Sequence, residues 1–424
     1  MSIIFLFLII NGFLFFSVPS LGTNTMRLDL IHRHSETSMN HIERIQDLVH
    51  VDNHRVHMIS MRRKTFQIAA SFPMNSGAYT GTGQYFVRFK IGTPSQKFLL
   101  VADTGSDLTW INCARRTFKR HRFYHPSSSS SFKKIPCSSE MCQNLPFSLA
   151  EYGSSANGVF ANETVTVSLS NGRKLRITDF IVGCSSVLHG SSFISSDGVL
   201  GLGYSNNSFS TKVRERFGGK FSYCLVDHLS PKNVSSYLTF GDNKSFISSS
   251  SRMHYTELVL NVIEGFYAVN VAGISVNGAM LDIPSETWDV GGEGGVVVDS
   301  GTSLTFLAQP AYSVVMKALK SPLKGLVEEI EMKPFEFCFS SVGFGKTFEV
   351  PRLVIHFEDL VRFAPPVKSY VIDVADGVKC LGFMPNGWPD LSIIGNIMQQ
   401  SFLWEFDTVN NRLGFAPTDC GGTH

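Results

Sequence analysis

The sequence predicts a mostly β protein built from two homologous lobes, and three observations carry that prediction. Val101-Ala102-Asp103-Thr104-Gly105-Ser106 is echoed by Val297-Val298-Asp299-Ser300-Gly301-Thr302-Ser303, with the two acids 196 positions apart. Each copy is followed by a second echo, two apolar residues and a glycine. Val199-Leu200-Gly201 ends 98 residues after Asp103, and Ile393-Ile394-Gly395 ends 96 after Asp299. The composition agrees: 17% charged, 43% hydrophobic, with 36 Gly and 35 Phe, which suits a compact, turn-rich β protein of two lobes. An internal repeat at this spacing reads as two lobes facing each other.

Each half-site has a physical reading. An apolar run, Phe98 to Ala102 or Gly295 to Val298, reads as a buried strand that delivers an acid into a tight turn. Gly105 and Gly301 give that turn its backbone freedom. The hydroxyls of Thr104, Ser106, Ser300 and Thr302 are placed to hold a carboxylate and its turn. One Asp-Thr-Gly is ordinary turn chemistry; the pair is specific, because an acid at the end of a buried strand is costly unless used or paired.

Taken in order, residues 1–22 read as a signal peptide, an apolar stretch from Ile3 to Val18 followed by Pro19-Ser20-Leu21-Gly22. Residues 23–81 read as a propeptide. Its first part, to Ser71, holds six of the 13 histidines (His32, His34, His41, His50, His54, His57) and no cysteine. Ile42, Ile45, Leu48 and Val49 recur there at helical spacing. One expectation is a pH gate in which these histidines charge as pH falls through roughly 6.5; the plainer one is a solvated segment.

Residues 82–245 form the expected N-terminal β lobe. Tyr85 to Ile91 and Lys97 to Ala102 read as strands around Gly92-Thr93-Pro94, and Asn162 to Leu169 with Lys174 to Val182 as a hairpin turning at Asn171-Gly172. The serine run Ser127 to Ser131 reads as a solvent loop. A polar stretch from Asn243 to Arg252 is the candidate linker to the C-terminal β lobe, residues 246–424. That lobe shows strands at His254 to Leu260, Phe266 to Val276, Phe348 to Phe357, Lys379 to Phe383, Ser392 to Ile394 and Phe402 to Phe406. Gln309 to Leu319 is its one convincing helix, with Pro310 near the start and Val314, Val315 and Leu319 at helical spacing.

A formal charge of +2 gives no reason to expect a nucleic-acid partner. No later stretch has the apolar length to span a bilayer, so no stable membrane anchor is expected after signal removal. Eight cysteines suit a disulfide framework in an oxidising compartment, and sequons at Asn162, Asn206, Asn233 and Asn243 permit glycosylation. The expectation is the secretory pathway, ending outside the cell, in the apoplast, or in a vacuole. No zinc motif stands out, and neither a metal nor a cofactor is expected.

Asp103 to Trp110 (Asp-Thr-Gly-Ser-Asp-Leu-Thr-Trp), Asp299 to Ser303, and both apolar-apolar-Gly units resemble the pepsin-like aspartic endopeptidases. Pro136-Cys137-Ser138-Ser139, Phe221-Ser222-Tyr223-Cys224, Ile394-Gly395-Asn396 with Gln399-Gln400, and Leu30-Ile31-His32-Arg33 narrow the resemblance to the plant nepenthesin-type branch. It covers nearly everything after Tyr85. The resemblance implies a bilobal fold with a cleft between lobes, Asp103 and Asp299 as a catalytic dyad, Thr104 and Ser300 bracing it, and Ser106 and Thr302 bonding its outer oxygens. It also implies a flap tyrosine at Tyr152-Gly153, and disulfides Cys224–Cys420, Cys338–Cys380 and Cys113–Cys184. Cys137 and Cys142 are left to bridge each other or stay free. The flap stretch is shorter than the branch pattern, which has more cysteines there.

The function this implies is a secreted endopeptidase made as a zymogen, a monomer acting on polypeptides at acidic pH and held by its own propeptide. The alternative is a catalytically impaired pepsin-like binding or inhibitor protein. A glycosidase built on two carboxylates leaves the duplicated turn unexplained.

Overall fold

The computed structural model describes residues 25–32, positions between 42 and 59, and 84–421 apart from 114–121, 137, 140–154, 190–195, 228–229, 231–233, 235 and 242–251. The signal peptide, Tyr152-Gly153, Cys137, Cys142, Asn233, Asn243 and nearly all of the linker therefore lie outside the described residues. Of the six leader histidines, only the backbone of His32 lies within them.

The leader contributes the first strand, β1 (Met26–His32). In the N-terminal half follow β2 (Tyr85–Ile91), β3 (Gln96–Asp103), β4 (Thr109–Asn112), the short β5 (Lys133–Lys134), β6 (Ser155–Ser168), β7 (Lys174–His189), β8 (Gly198–Gly201), β9 (Lys220–Cys224) and β10 (Ser236–Phe240). β2 and β3 form a hairpin whose register runs from Phe86 opposite Val101 to Ile91 opposite Gln96. β6 and β7 form a longer hairpin than the sequence predicts, turning at Asn171-Gly172 with Gly172 at φ +78°.

The strand that ends in each acid is embedded in the same way. β3 runs parallel to β8, with Asp103 opposite Gly201; β8 is antiparallel to β4, and β4 is parallel to β7. In the C-terminal half Val296–Val298 runs parallel to Ser392–Ile394, with Val298 opposite Ile394. That strand meets Thr305–Ala308 in antiparallel sense, and Thr305–Ala308 is parallel to Phe383–Asn386. Two sequence echoes are thus two copies of one strand arrangement. Strands buried on both faces explain why both echoes are continuous apolar runs.

A platform sheet joins the halves: β10 pairs with β9, β9 with Phe402–Asp407, that strand with Arg412–Pro417, and the last with β11 (His254–Val259). Its core is aromatic, with Phe221 stacked on Phe406 at 4.7 Å and Tyr267 edge-on to the same ring. The predicted helix spans Gln309–Lys320 and buries Ala311, Tyr312, Val315, Met316 and Leu319. Disulfides Cys113–Cys184, Cys224–Cys420 and Cys338–Cys380 are all formed. Among the described residues no helix is long and apolar enough to cross a membrane.

Five expectations need correction. The strand expected at Phe348 to Phe357 is confined to Leu353–Phe357, and Lys379 to Phe383 is divided between Val378–Leu381 and Phe383–Asn386. The span from Phe266 to Val276 is two strands, Ala268–Val269 and Val271–Val276, because Ala268–Val269 leaves its neighbour to pair with the Asp299 strand. Ile42 is exposed, so the buried face of the leader helix begins at Ile45. The serine run is no simple solvent loop. Ser129 and Ser131 donate from Oγ to the buried Glu163 carboxylate, joined there by the Tyr124 hydroxyl. A buried carboxylate needs such donors, and the serines supply them.

Candidate active site

Asp103 ends its strand and Asp299 directly follows its own, at the meeting of the two halves, both fully buried. Each carboxylate is held from its own turn. Gly105 N–H donates to Asp103 Oδ1 at 3.0 Å and Ser106 Oγ to Asp103 Oδ2 at 2.5 Å. Gly301 N–H donates to Asp299 Oδ1 at 2.9 Å and Thr302 Oγ1 to Asp299 Oδ2 at 2.5 Å. The two sets are matched oxygen by oxygen.

The turns also grip each other. Thr104 N–H donates to Ser300 Oγ at 3.1 Å, and Ser300 N–H donates to Thr104 Oγ1 at 2.9 Å. The hydroxyls pass on to the opposite strands, Ser300 Oγ to the Ala102 carbonyl at 3.0 Å and Thr104 Oγ1 to the Val298 carbonyl at 3.5 Å. These buried bonds fix one acid's turn relative to the other's. Glycine is required between them: a Cβ on Gly301 would lie 2.2 Å from Asp103 Oδ1.

Below the turns side-chain amides bond backbone carbonyls of the site. Asn396 Nδ2 donates to the Ser300 carbonyl, and Gln399 Nε2 to those of Asp299 and Ile394. Gln400 Nε2 donates to the Tyr85 hydroxyl, which donates in turn to the Val226 carbonyl. The segment singled out as Asn396 with Gln399-Gln400 therefore supports the site from within.

The sequence reading missed what covers the acids. Between 42 and 59 the described leader residues are helical, and Ile45, Leu48, Val49, Asp52, Arg55, Val56 and Ile59 are its buried ones. Arg55 enters the site with only 6% of its side chain exposed. Its Nη1 and Nη2 donate to Asp103 Oδ2 and Oδ1 at 3.0 and 2.5 Å, while Nε and Nη2 donate to Asp299 Oδ2 and Oδ1 at 2.6 and 2.9 Å. One guanidinium thus bridges both carboxylates through the fork geometry that arginine alone offers. One turn earlier, Asp52 accepts from Ser303 N–H at 3.0 Å and Leu304 N–H at 2.5 Å. The signal was present in the sequence: Asp52 and Arg55 continue the apolar period of Ile45, Leu48 and Val49, and charges on a buried helix face call for partners.

The electrostatics follow from this contact. Burial by itself raises Asp103, but the Arg55 charge and the bonds from Arg55, Ser106 and Gly105 outweigh it and hold the carboxyl below its ordinary value. Burial opposes the charge on Arg55, and Asp103 and Asp299 more than restore it, so its pKa stands above the ordinary value. Burial pushes Asp52 up to about 7, against the Leu304 and Ser303 N–H bonds and the Arg55 charge.

Among the described residues no group of three or more His, Cys, Asp and Glu side chains could hold a metal ion. Of the sequons, Asn206 is exposed in a turn and Asn162 is half-buried within β6. The flap residues Tyr152 and Gly153 lie outside the described residues.

Comparison with known proteins places this geometry in a family. Family models described as xylanase inhibitor N-terminal and xylanase inhibitor C-terminal match residues 85–242 and 266–417. Aspartyl protease family protein 2 of Arabidopsis thaliana is 35% identical over 368 residues, covering 81% of this chain and 73% of that protein. Aspartic proteinase nepenthesin-2 of Nepenthes gracilis is 30% identical over 380 residues, covering 86% and 84%. The solved structure of basic 7S globulin from soybean shares the fold, with a TM-score of 0.64 at 17% identity, covering 94% of this chain and 96% of that one. Two matched half-sites on two matched halves, with these relatives, make the chain a member of the pepsin-like plant aspartic protease family that includes the nepenthesins.

Proposed function

We propose that the chain is an aspartic endopeptidase made as a secreted zymogen, with Asp103 and Asp299 as its dyad and the helical leader as its inhibitor. The observation that carries this reading is the pair of buried carboxylates, each with a matched hydroxyl and N–H donor, bridged by Arg55. A binding surface has no need of two buried acids so supplied with donors.

Once the arginine leaves, two adjacent carboxylates cannot both ionise cheaply and share one proton, the known behaviour of aspartic protease dyads. The ionised partner takes a proton from water, whose oxygen attacks the peptide carbonyl carbon. The protonated partner donates to the carbonyl oxygen as charge builds there. Collapse of the tetrahedral intermediate breaks the C–N bond, with a proton passing to the leaving amine. Ser106 and Thr302 hold the two carboxylates in place through these steps, and Thr104 with Ser300 keeps the two turns in register.

Three disulfides support passage through an oxidising compartment, and the reading extends to a monomer acting outside the cell or in a vacuole on polypeptide substrates. A second reading, a pepsin-like inhibitor or binding protein, draws on the xylanase-inhibitor description of both matching family models. One experiment separates them. The full chain is brought to about pH 4, where ordinary carboxylates begin to protonate, and assayed on a denatured protein with and without pepstatin. The endopeptidase reading expects pepstatin-sensitive cleavage that Asp103→Asn abolishes. No cleavage by the wild type, or equal cleavage by Asp103→Asn, overturns it in favour of the second.

A further inference from the structure

The formal charge of +2 hides an uneven distribution. Residues 84–252 hold 20 Lys and Arg against 10 Asp and Glu, and residues 253–424 hold 10 against 20, so the two halves carry +10 and −10. Part of the positive excess is gathered on one face of the N-terminal half. Arg88, Lys90 and Lys97 point away from the core, which takes Val87, Phe89, Ile91 and Phe98 from the same strands. Lys90 lies opposite Lys97, and Arg88 opposite the half-buried Leu99. Arg122 joins them through Nη1, which donates to the Lys97 carbonyl at 3.4 Å. Arg176 joins through Nη2, which donates to Thr93 Oγ1 in the hairpin turn at 2.9 Å.

Among the described residues none of these five side chains forms an ion pair. On β1, β2, β3, β6 and β7 the exposed acids are Asp29 and Asp179. Lysines often guard an open sheet edge, but neither strand of this hairpin is an edge: β3 also pairs with β8, and β2 with β6. Two lysines directly opposite each other weaken a strand pair unless an anion comes between them. The charges recur about 7 Å apart along a strand and about 5 Å across it. That spacing suits a linear polymer with an anion on every unit better than one compact anion.

We propose that this face binds a carboxylated polysaccharide, with a chain of uronate-type sugars lying across β2 and β3 against Arg88, Lys90, Lys97, Arg122 and Arg176. Arginine forks match carboxylates in pairs, and the lysines add charge between them. The exposed large hydrophobic residues all lie outside 84–252, among the described residues, so the face lacks the apolar anchors of a protein interface or of a membrane-surface site. The choice of a polysaccharide over a nucleic acid rests on the secretory reading. Lys97 stands six residues before Asp103 on β3, about 20 Å away along the strand. A protein held by this face on an acidic matrix keeps its site clear of the polymer.

The test uses the full chain carrying Asp103→Asn at about pH 6, where uronate carboxylates are ionised. Binding is measured by biolayer interferometry on immobilised polygalacturonate, its fully methyl-esterified counterpart, duplex DNA, and vesicles of mixed phosphatidylserine and phosphatidylcholine. Binding to polygalacturonate is expected to exceed that to the other three, and to weaken about tenfold or more between roughly 0.05 and 0.5 M salt. Lys90→Glu, Lys97→Glu and Arg176→Glu together should weaken it at least about tenfold, and the three changes to Gln should weaken it less. The Gln variant decides the matter where circular dichroism shows the Glu variant unfolded. Lys317→Glu, Lys324→Glu and Lys333→Glu, which alter net charge equally on the other half, should leave binding within about twofold. No binding to polygalacturonate, equal binding to the esterified polymer, tighter binding to DNA or vesicles, or an equal loss in the Lys317, Lys324 and Lys333 variant overturns the proposal. The dyad is disabled throughout, so any of these failures leaves the endopeptidase reading untouched.

Discussion

Arg55 is held by charge on both sides, and its loss leaves two buried acids facing each other. Truncating one member of a buried ionic cluster costs about 3–5 kcal/mol, so Arg55→Ala is expected to lower the docking equilibrium constant of the arm by roughly a hundredfold or more. Pepstatin should then bind the intact variant at a pH where it does not bind the wild type, as read by calorimetry. The pH dependence of docking has two limbs. Asp103 is held low by Arg55, so its contribution to docking is present above the ordinary carboxylate range and lost as pH falls through the lowered value. Asp52 is pushed up to about 7, so its ionised form weakens docking progressively as pH rises towards that value. Protection of Val56 and Ile59 from hydrogen exchange, taken relative to the intrinsic exchange rate at each pH, should therefore be greatest close to the ordinary carboxylate range and smaller on both sides. Asp52→Asn should flatten the limb near neutrality and leave the acid limb in place. In the active form, Ser106→Ala removes a bond that lowers Asp103. A lost hydrogen bond to a charged group costs about 1.5–3 kcal/mol, so kcat should fall about tenfold or more, with the acid limb of the pH profile shifted upward.

At the level of elements, the repeated strand arrangement depends on glycines that let one chain cross close over another. A Cβ on Gly395 would lie 2.0 Å from the Leu304 carbonyl oxygen, which is backbone and has little room to yield. Gly395→Ala is expected to lower the unfolding midpoint by several degrees or block folding, measured by circular dichroism. Local periodicity made much of this level legible: the β2–β3 and β6–β7 hairpins and the helix Gln309–Lys320 follow from turn residues and spacing. The serine run Ser127 to Ser131 was misread because composition says nothing about Glu163, which lies over thirty residues away and needs its hydroxyls. β1 was equally hidden. Seven residues, alternating only over the first five, do not announce that they belong between two strands of another part of the chain.

Across the whole molecule, the two halves are tied beneath the two acids by a reciprocal contact, Thr104 with Ser300. The acids and their hydroxyls were readable because duplication prints the same short pattern twice. What covers them was only half legible: Asp52 and Arg55 continue the leader's helical period, but their partners are seen only when the leader helix is laid across both halves. Replacing Thr104 by Val together with Ser300 by Ala should leave the fold's circular dichroism intact and lower kcat, because the turns lose the bonds that register one carboxylate against the other. The central claim is that Asp103 and Asp299 form a working dyad masked by Arg55. The most direct measurement is pepstatin-sensitive peptide cleavage by the uncut chain, compared between wild type, Arg55→Ala, and Arg55→Ala with Asp299→Asn, in weak acid. Cleavage by Arg55→Ala that exceeds wild type and disappears with Asp299→Asn is predicted; equal inactivity of Arg55→Ala and wild type, with the dyad free to bind solvent, would contradict it.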